Sequence, residues 1–164
     1  MNNKTTEAPS RDASAADFPS LPMEAVRLVP HRPPMLLIHE LLEKEGSTAA
    51  ASAVVPADEF FLEEDGDHRR LMPEFLVEIM AQGLAAADGM DALERSRPVR
   101  DGFLVGIEDF IFYRQPEPGA RLRIELEKEN EFASIVYFSG RILDESGRLL
   151  ASGVLKIWVE ETSG

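Results

Sequence analysis

Cysteine is absent from the 164-residue chain. A disulfide framework and a thiolate metal site are therefore excluded, and the sequence carries no record of its redox compartment. Positive charge is scarce: 17 Lys and Arg stand against 30 Asp and Glu, a formal net charge of −13. That balance opposes the sequence-independent attraction to phosphate on which nucleic-acid binding rests, and it opposes adsorption to anionic membranes. No segment approaches the run of about 20 apolar residues that a membrane-spanning helix needs, and residues 1–20 hold no apolar stretch of signal-peptide length. A cytoplasmic, soluble protein is expected. Histidine is limited to His31, His39 and His68, which show no metal-ligand spacing, and Glu63-Glu64-Asp65-Gly66-Asp67 reads as a solvated turn, not a calcium loop. No metal or cofactor is expected. Nucleotide binding lacks support too, because GFLVGIEDF has no glycine-rich turn before a helix.

What is present suffices for one core, at 44% hydrophobic residues, and not for two domains. Residues 1–20, rich in Ser, Ala, Asp and Pro, form an expected disordered leader, and the expected domain covers residues 21–161. Met23 to Leu28 suits a short helical turn that Pro30 stops. Thr48 to Val55 is a weakly patterned strand candidate, and Gly102 to Phe112 is a long apolar one. RLRIELE, residues 121–127, alternates without a break, with Leu122, Ile124 and Leu126 facing one way. Ala133 to Leu143 and Leu149 to Val159 complete the set, joined by the turn Asp144-Glu145-Ser146-Gly147. One long apolar helix with antiparallel strands describes an α+β domain in which a curved sheet packs on one helix.

That helix is LMPEFLVEIMAQGLAAADG, residues 71–89. Pro73 suits its first position, Glu74 complements the helix dipole, and Gly89 is the expected end. Phe75, Leu76, Ile79, Met80 and Leu84 surround the whole circumference, so no solvent face is expected. Glu78 is the ionisable side chain in the middle, with Gln82 one turn on, and small residues (Ala81, Ala85, Gly89) share its quadrant. A carboxylate held there needs either a raised pKa or a partner, and both make it a poised acid or base. The alternative is a structural carboxylate held by a backbone N–H or an arginine.

MPEFLVEIMAQ resembles the central-helix motif of the β-hydroxyacyl-acyl-carrier-protein dehydratases, the FabZ and FabA type, in which MPG precedes an apolar run and E-x-M-A-Q. LVPHRPPMLLIHELLE is similar to the family's leading segment, with His31, Arg32, Pro34, Leu36 and Leu37 in place and His39 where the family has aspartate. Residues 103–127 are similar to its later strands, with Gly106, Ile107, Phe112, Pro116, Pro118, Gly119 and Leu122 aligned. The resemblance implies a hot-dog fold, a curved antiparallel sheet wrapped around one long central helix. It also implies a homodimer, with higher assembly open, that acts on an acyl-carrier-protein or coenzyme A thioester in fatty-acid or polyketide-type synthesis. Glu78 falls on the catalytic carboxylate that removes water from a 3-hydroxyacyl thioester together with a histidine of the other subunit. Substrate contacts are implied at Pro73, Glu74, Gln82 and Gly106.

The histidine motif G-H-F-P-G is missing; Phe60-Phe61 is followed by LEEDGDHRRLMP, as in a branch of aryl-polyene-type dehydratase-like proteins that lacks it. His68 reads as a solvated loop residue, and His31 is the candidate second catalytic group. The alternative for His31 is a packed ring with one nitrogen on a backbone carbonyl. The helix start departs as well, since Glu74 replaces a glycine whose N–H polarises the thioester carbonyl, although other helix-start N–H groups are expected to serve. Two further readings stay open: a hot-dog acyl thioesterase, which needs one carboxylate to activate water, and a non-catalytic acyl or acyl-carrier-protein binding subunit. An acidic carrier protein needs a local basic patch, for which Arg69, Arg70, Arg95, Arg97 and Arg100 are candidates, the alternative being plain solvated arginines.

Overall fold

The computed structural model describes residues 19–160. The expected leader falls outside these, apart from Pro19 and Ser20, as does residue 161 of the expected domain. Nine strands and one long helix follow in order: β1 (Met23–Glu24), β2 (Ile38–Glu45), β3 (Thr48–Val54), β4 (Leu62–Asp65), β5 (His68–Leu71), α1 (Glu74–Glu94), β6 (Gly102–Phe112), β7 (Arg121–Phe132), β8 (Ile135–Asp144) and β9 (Leu149–Val159). Seven of the strands form one antiparallel sheet in the order β1-β2-β3-β7-β8-β9-β6, while β4 and β5 pair as a separate hairpin. The sheet curves around α1, the hot-dog arrangement.

The alternation in RLRIELE works as expected: Leu122, Ile124 and Leu126 are buried against α1, and Ala51 and Ala53 of β3 sit beside them through the register Ala51↔Ile124 and Ala53↔Leu122. The alanines of β3, too small to pattern clearly in the sequence, let the helix approach the sheet. On α1, Leu76, Ile79, Met80 and Met90 are at most 1% exposed. Each such burial stabilises the fold by about 1.5–3 kcal/mol. Gly140 on β8 lies under Met80, where a Cβ would overlap the thioether sulfur.

Three expectations change. Met23 to Leu28 is a two-residue strand followed by a 3-10 turn over Ala25–Arg27, because β1 adds to the sheet edge through Met23↔Leu41. The helix runs five residues past Gly89, to Glu94. Gly89 serves another purpose: the Leu28 carbonyl rests on its Cα, and a Cβ there would collide with that oxygen. The strands β2, β4 and β5 were hidden because Glu40, Glu43, Lys44 and Glu45, and then Glu63, Glu64, Arg69 and Arg70, leave no apolar alternation to read.

Candidate active site

Glu78 lies one turn into α1 and keeps 35% of its side-chain surface. The helix therefore has an open stripe, contrary to the all-round burial expected from composition. That stripe faces a cavity of about 630 Å³ lined by Glu78, Ala81, Gln82, Ala85 and Asp88 of the helix, by His31 before it, and by β6, β7, β8 and β9 opposite. The carboxylate is neither loose in bulk solvent nor clasped by an arginine.

Two groups flank it. Gln82, one turn on, is 1% exposed and donates Nε2 to Glu78 Oε1 at 2.7 Å. The same amide donates to the Met35 carbonyl at 2.7 Å and accepts the Leu37 N–H at 2.8 Å. Its hydrogen-bonding capacity thus ties the Met35–Leu37 backbone to the helix and fixes one carboxylate oxygen of Glu78. His31 lies at the start of that tied segment, with Nε2 3.6 Å from Glu78 Oε1. Arg32 braces the segment by donating Nη1 to the carbonyls of Val29 and His31 at 2.9 and 2.7 Å. The His31 Nδ1 is closed to solvent and has no hydrogen-bond partner among the described residues.

Glu78, His31 and Gln82 are thus brought together, and Pro73, Glu74 and Gly106 do not line this cavity. Pro73 is the N-cap and Glu74 begins the helix, while Gly106 lies on β6 against the Lys156 side chain. Of the helix-start N–H groups, those of Phe75 and Leu76 bond back to the carbonyls of Met72 and Pro73, which removes them as carbonyl-polarising donors. His68 is 65% exposed on β5, where Glu117 lies 3.8 Å away. Its hairpin is held by this chain's own residues: Arg69 pairs with Glu59, Arg70 with Asp65 and Glu117, and Gln115 bonds Glu63 and the Leu71 carbonyl.

The five candidate arginines separate. Arg69 and Arg70 belong to that hairpin, whereas Arg95, Arg97 and Arg100 line the cavity that holds Glu78. Asp88, which joins Arg97 and Arg100, was missed in the sequence. Its spacing from Glu78, through Ala81 and Ala85, is the signal that places it on the same helix face.

The surroundings can remove or deliver a proton at a ligand in the cavity, with Gln82 fixing one side of the carboxylate. The model of the ApeP-like family, described as ApeP dehydratase, matches residues 23–163. The 3-hydroxyacyl-[acyl-carrier-protein] dehydratase FabZ of Bordetella parapertussis is 37% identical over 134 residues, covering 77% of this chain and 87% of that protein. FabZ of Variovorax paradoxus is 34% identical over 124 residues, covering 73% and 81%. Among solved structures, the dehydratase heterocomplex ApeI:P from Xenorhabdus doucetiae superposes with a TM-score of 0.74 at 23% identity, covering 86% of this chain and 93% of that one. A hypothetical thioesterase from Streptococcus pneumoniae, solved with coenzyme A, gives 0.52 at 11% identity, covering 76% and 88%, a likeness of fold. The chain belongs to the ApeP-like dehydratases, a hot-dog family akin to FabZ.

Proposed function

We propose that this protein removes water from 3-hydroxyacyl thioesters, carried on an acyl-carrier protein or on coenzyme A, with Glu78 and His31 of one chain as its proton-transfer pair. The observation that carries the reading is the closeness of His31 Nε2 and Glu78 Oε1, 3.6 Å apart on one cavity wall. With Oε1 engaged by Gln82, Glu78 Oε2 takes the proton from the carbon alpha to the thioester carbonyl. The electron pair forms the C2–C3 double bond, the C3–O bond breaks, and His31 delivers a proton to the departing hydroxyl. Transfer from Glu78 to His31 across the short gap restores both groups.

Residues 21–161 are the working unit in this proposal, and it operates as a cytoplasmic dimer. Support for dimerisation comes from β6, an edge strand with Phe103, Val105, Ile107, Ile111 and Phe112 exposed. An apolar edge of this length is a template for pairing with another chain. Among the described residues no helix is long and apolar enough to cross a membrane.

Mass spectrometry of a 3-hydroxyacyl thioester incubated with the protein tests the assignment. The expected product is the enoyl thioester, lighter by one water. Release of the free acid would assign the cavity to thioester hydrolysis, and an unchanged substrate would reduce the protein to a binding subunit.

A further inference from the structure

His31 reaches Glu78 from a stretch that neither helix nor strand supports: residues 28–37 lie between the 3-10 turn and β2. Its place depends on what ties that stretch to α1, the helix that carries Glu78. Two ties sit on the helix itself. At one end the Leu28 carbonyl packs against Gly89, and at the other Gln82 holds the Met35 carbonyl and the Leu37 N–H. Neither tie reaches the histidine between them.

Arg32 spans that interval with both its side chain and its backbone. Its Nη1 donates to the Val29 carbonyl at 2.9 Å and to the His31 carbonyl at 2.7 Å. Its own carbonyl accepts the N–H of Met35 at 3.0 Å and that of Leu36 at 3.1 Å. Val29 is buried and its N–H is bonded back to the Ala25 carbonyl, so the guanidinium joins the His31 peptide to a fixed point. The backbone turn joins the same peptide to the segment that Gln82 holds. On a chain with 30 acidic residues, both hydrogen bonds that this side chain makes among the described residues go to carbonyls. Arg32 is exposed and does not line the cavity, so it is placed to act on the histidine and not on a ligand.

We propose that Arg32 is a positioning residue for proton transfer: by bridging the Val29 and His31 carbonyls it holds the His31 ring within reach of Glu78. The inference rests on the proton-transfer pair proposed above and adds what keeps the pair together. The gap from His31 Nε2 to Glu78 Oε1 is 3.6 Å, so a further displacement of about 1 Å takes the ring out of hydrogen-bond reach. Solvent-exposed hydrogen bonds to carbonyls are readily replaced by water, so the loss of Arg32 should be felt in the chemical step more than in folding.

Steady-state kinetics with a 3-hydroxyacyl thioester, run as a double-mutant cycle, separate the roles. Arg32→Ala should lower kcat by about tenfold or more, with KM within a factor of two and the urea midpoint close to the parent's. Arg32→Lys, which keeps a donor for the carbonyls, should recover part of the rate. In a His31→Ala background the same Arg32→Ala change should alter kcat less than twofold, because no ring is left to place. An unimpaired Arg32→Ala variant overturns the proposal, and so does an equal loss in the His31→Ala background. Should Arg32→Ala fail to fold, Arg32→Gln takes its place in the cycle. NMR of the full chain with labelled histidine rings reads the placement without turnover, the His31 signals being those that vanish in His31→Ala. Glu78→Gln should shift these signals in the parent and leave them nearly unmoved in the Arg32→Ala background; an undiminished shift there overturns the proposal. Ring coupling lost in Arg32→Ala without any enoyl product from the parent would keep the positioning role and reject dehydration. Enoyl product formed equally well by Arg32→Ala would do the reverse.

Discussion

Gln82 commits one amide to three partners, and that sharing makes it a positioning residue. Replacing it with leucine leaves the buried Leu37 N–H and the part-buried Met35 carbonyl without their partner and frees Glu78 to swing. Two orphaned backbone groups should cost about 2–4 kcal/mol, read by urea denaturation. A loss below about 0.5 kcal/mol would show that water replaces the amide without penalty. For His31, truncation to alanine should lower kcat by about 10²–10⁴-fold, the usual worth of a general acid, with a smaller change in KM. A kcat within a factor of three of the parent's would remove the ring from the proton path. At this scale the sequence was partly readable. Glu78 stood out as a carboxylate among apolar neighbours, and His31 was reachable through the resemblance of its segment. Gln82 read as a substrate contact because a polar side chain on the Glu78 face looks the same whether it meets a ligand or a distant backbone.

Local chemistry shapes two places in the elements, a turn and a helix interior. In the β8–β9 turn, Asp144 accepts from Ser146 N, Ser146 Oγ and Arg148 N and pairs with Arg148 Nε at 2.8 Å. The Ser146 hydroxyl first, then the Arg148 backbone N–H, hold its carboxyl far below its ordinary 3.8. A carboxylate depressed in the fold contributes stability above its unfolded pKa and loses it as pH falls toward the folded value. Asp144→Ala should therefore lower Tm by a few degrees at pH 7, and the gap from the parent should close as the pH drops below about 4. A gap that is constant across this range would mean the turn does not depend on the ionised group. In α1, Gly89→Ala gains about 1 kcal/mol of helix propensity but drives a methyl into the Leu28 carbonyl. The net expectation is destabilisation by about 1–3 kcal/mol in denaturant titrations, since backbone must move to make room; a stabilised variant would contradict the close approach. The glycine's place in the sequence suggested a helix end because conformational freedom and lack of bulk leave the same letter. β7 was legible by contrast, because Leu122, Ile124 and Leu126 are buried and the residues between them are not.

On the scale of the whole molecule, the sheet ends in an apolar edge at β6 and the helix opens a cavity beneath its neighbours. Ile107→Lys, at an exposed position of that edge, should shift the molecular mass measured by light scattering from dimer toward monomer, and an unchanged dimer would place the interface elsewhere. The hot-dog fold was legible through motifs in order, yet the β4–β5 hairpin was not. Its strands carry cross-strand charge pairs, Glu63 opposite Arg70 and Glu64 opposite Arg69, that read as a solvated turn. The fold's central claim is that a carboxylate beside the cavity moves the proton. Single-turnover mass spectrometry of Glu78→Gln, set beside its melting curve, addresses this directly. The account predicts no enoyl thioester from a variant that melts at or above the parent temperature; undiminished enoyl formation by that variant would contradict it.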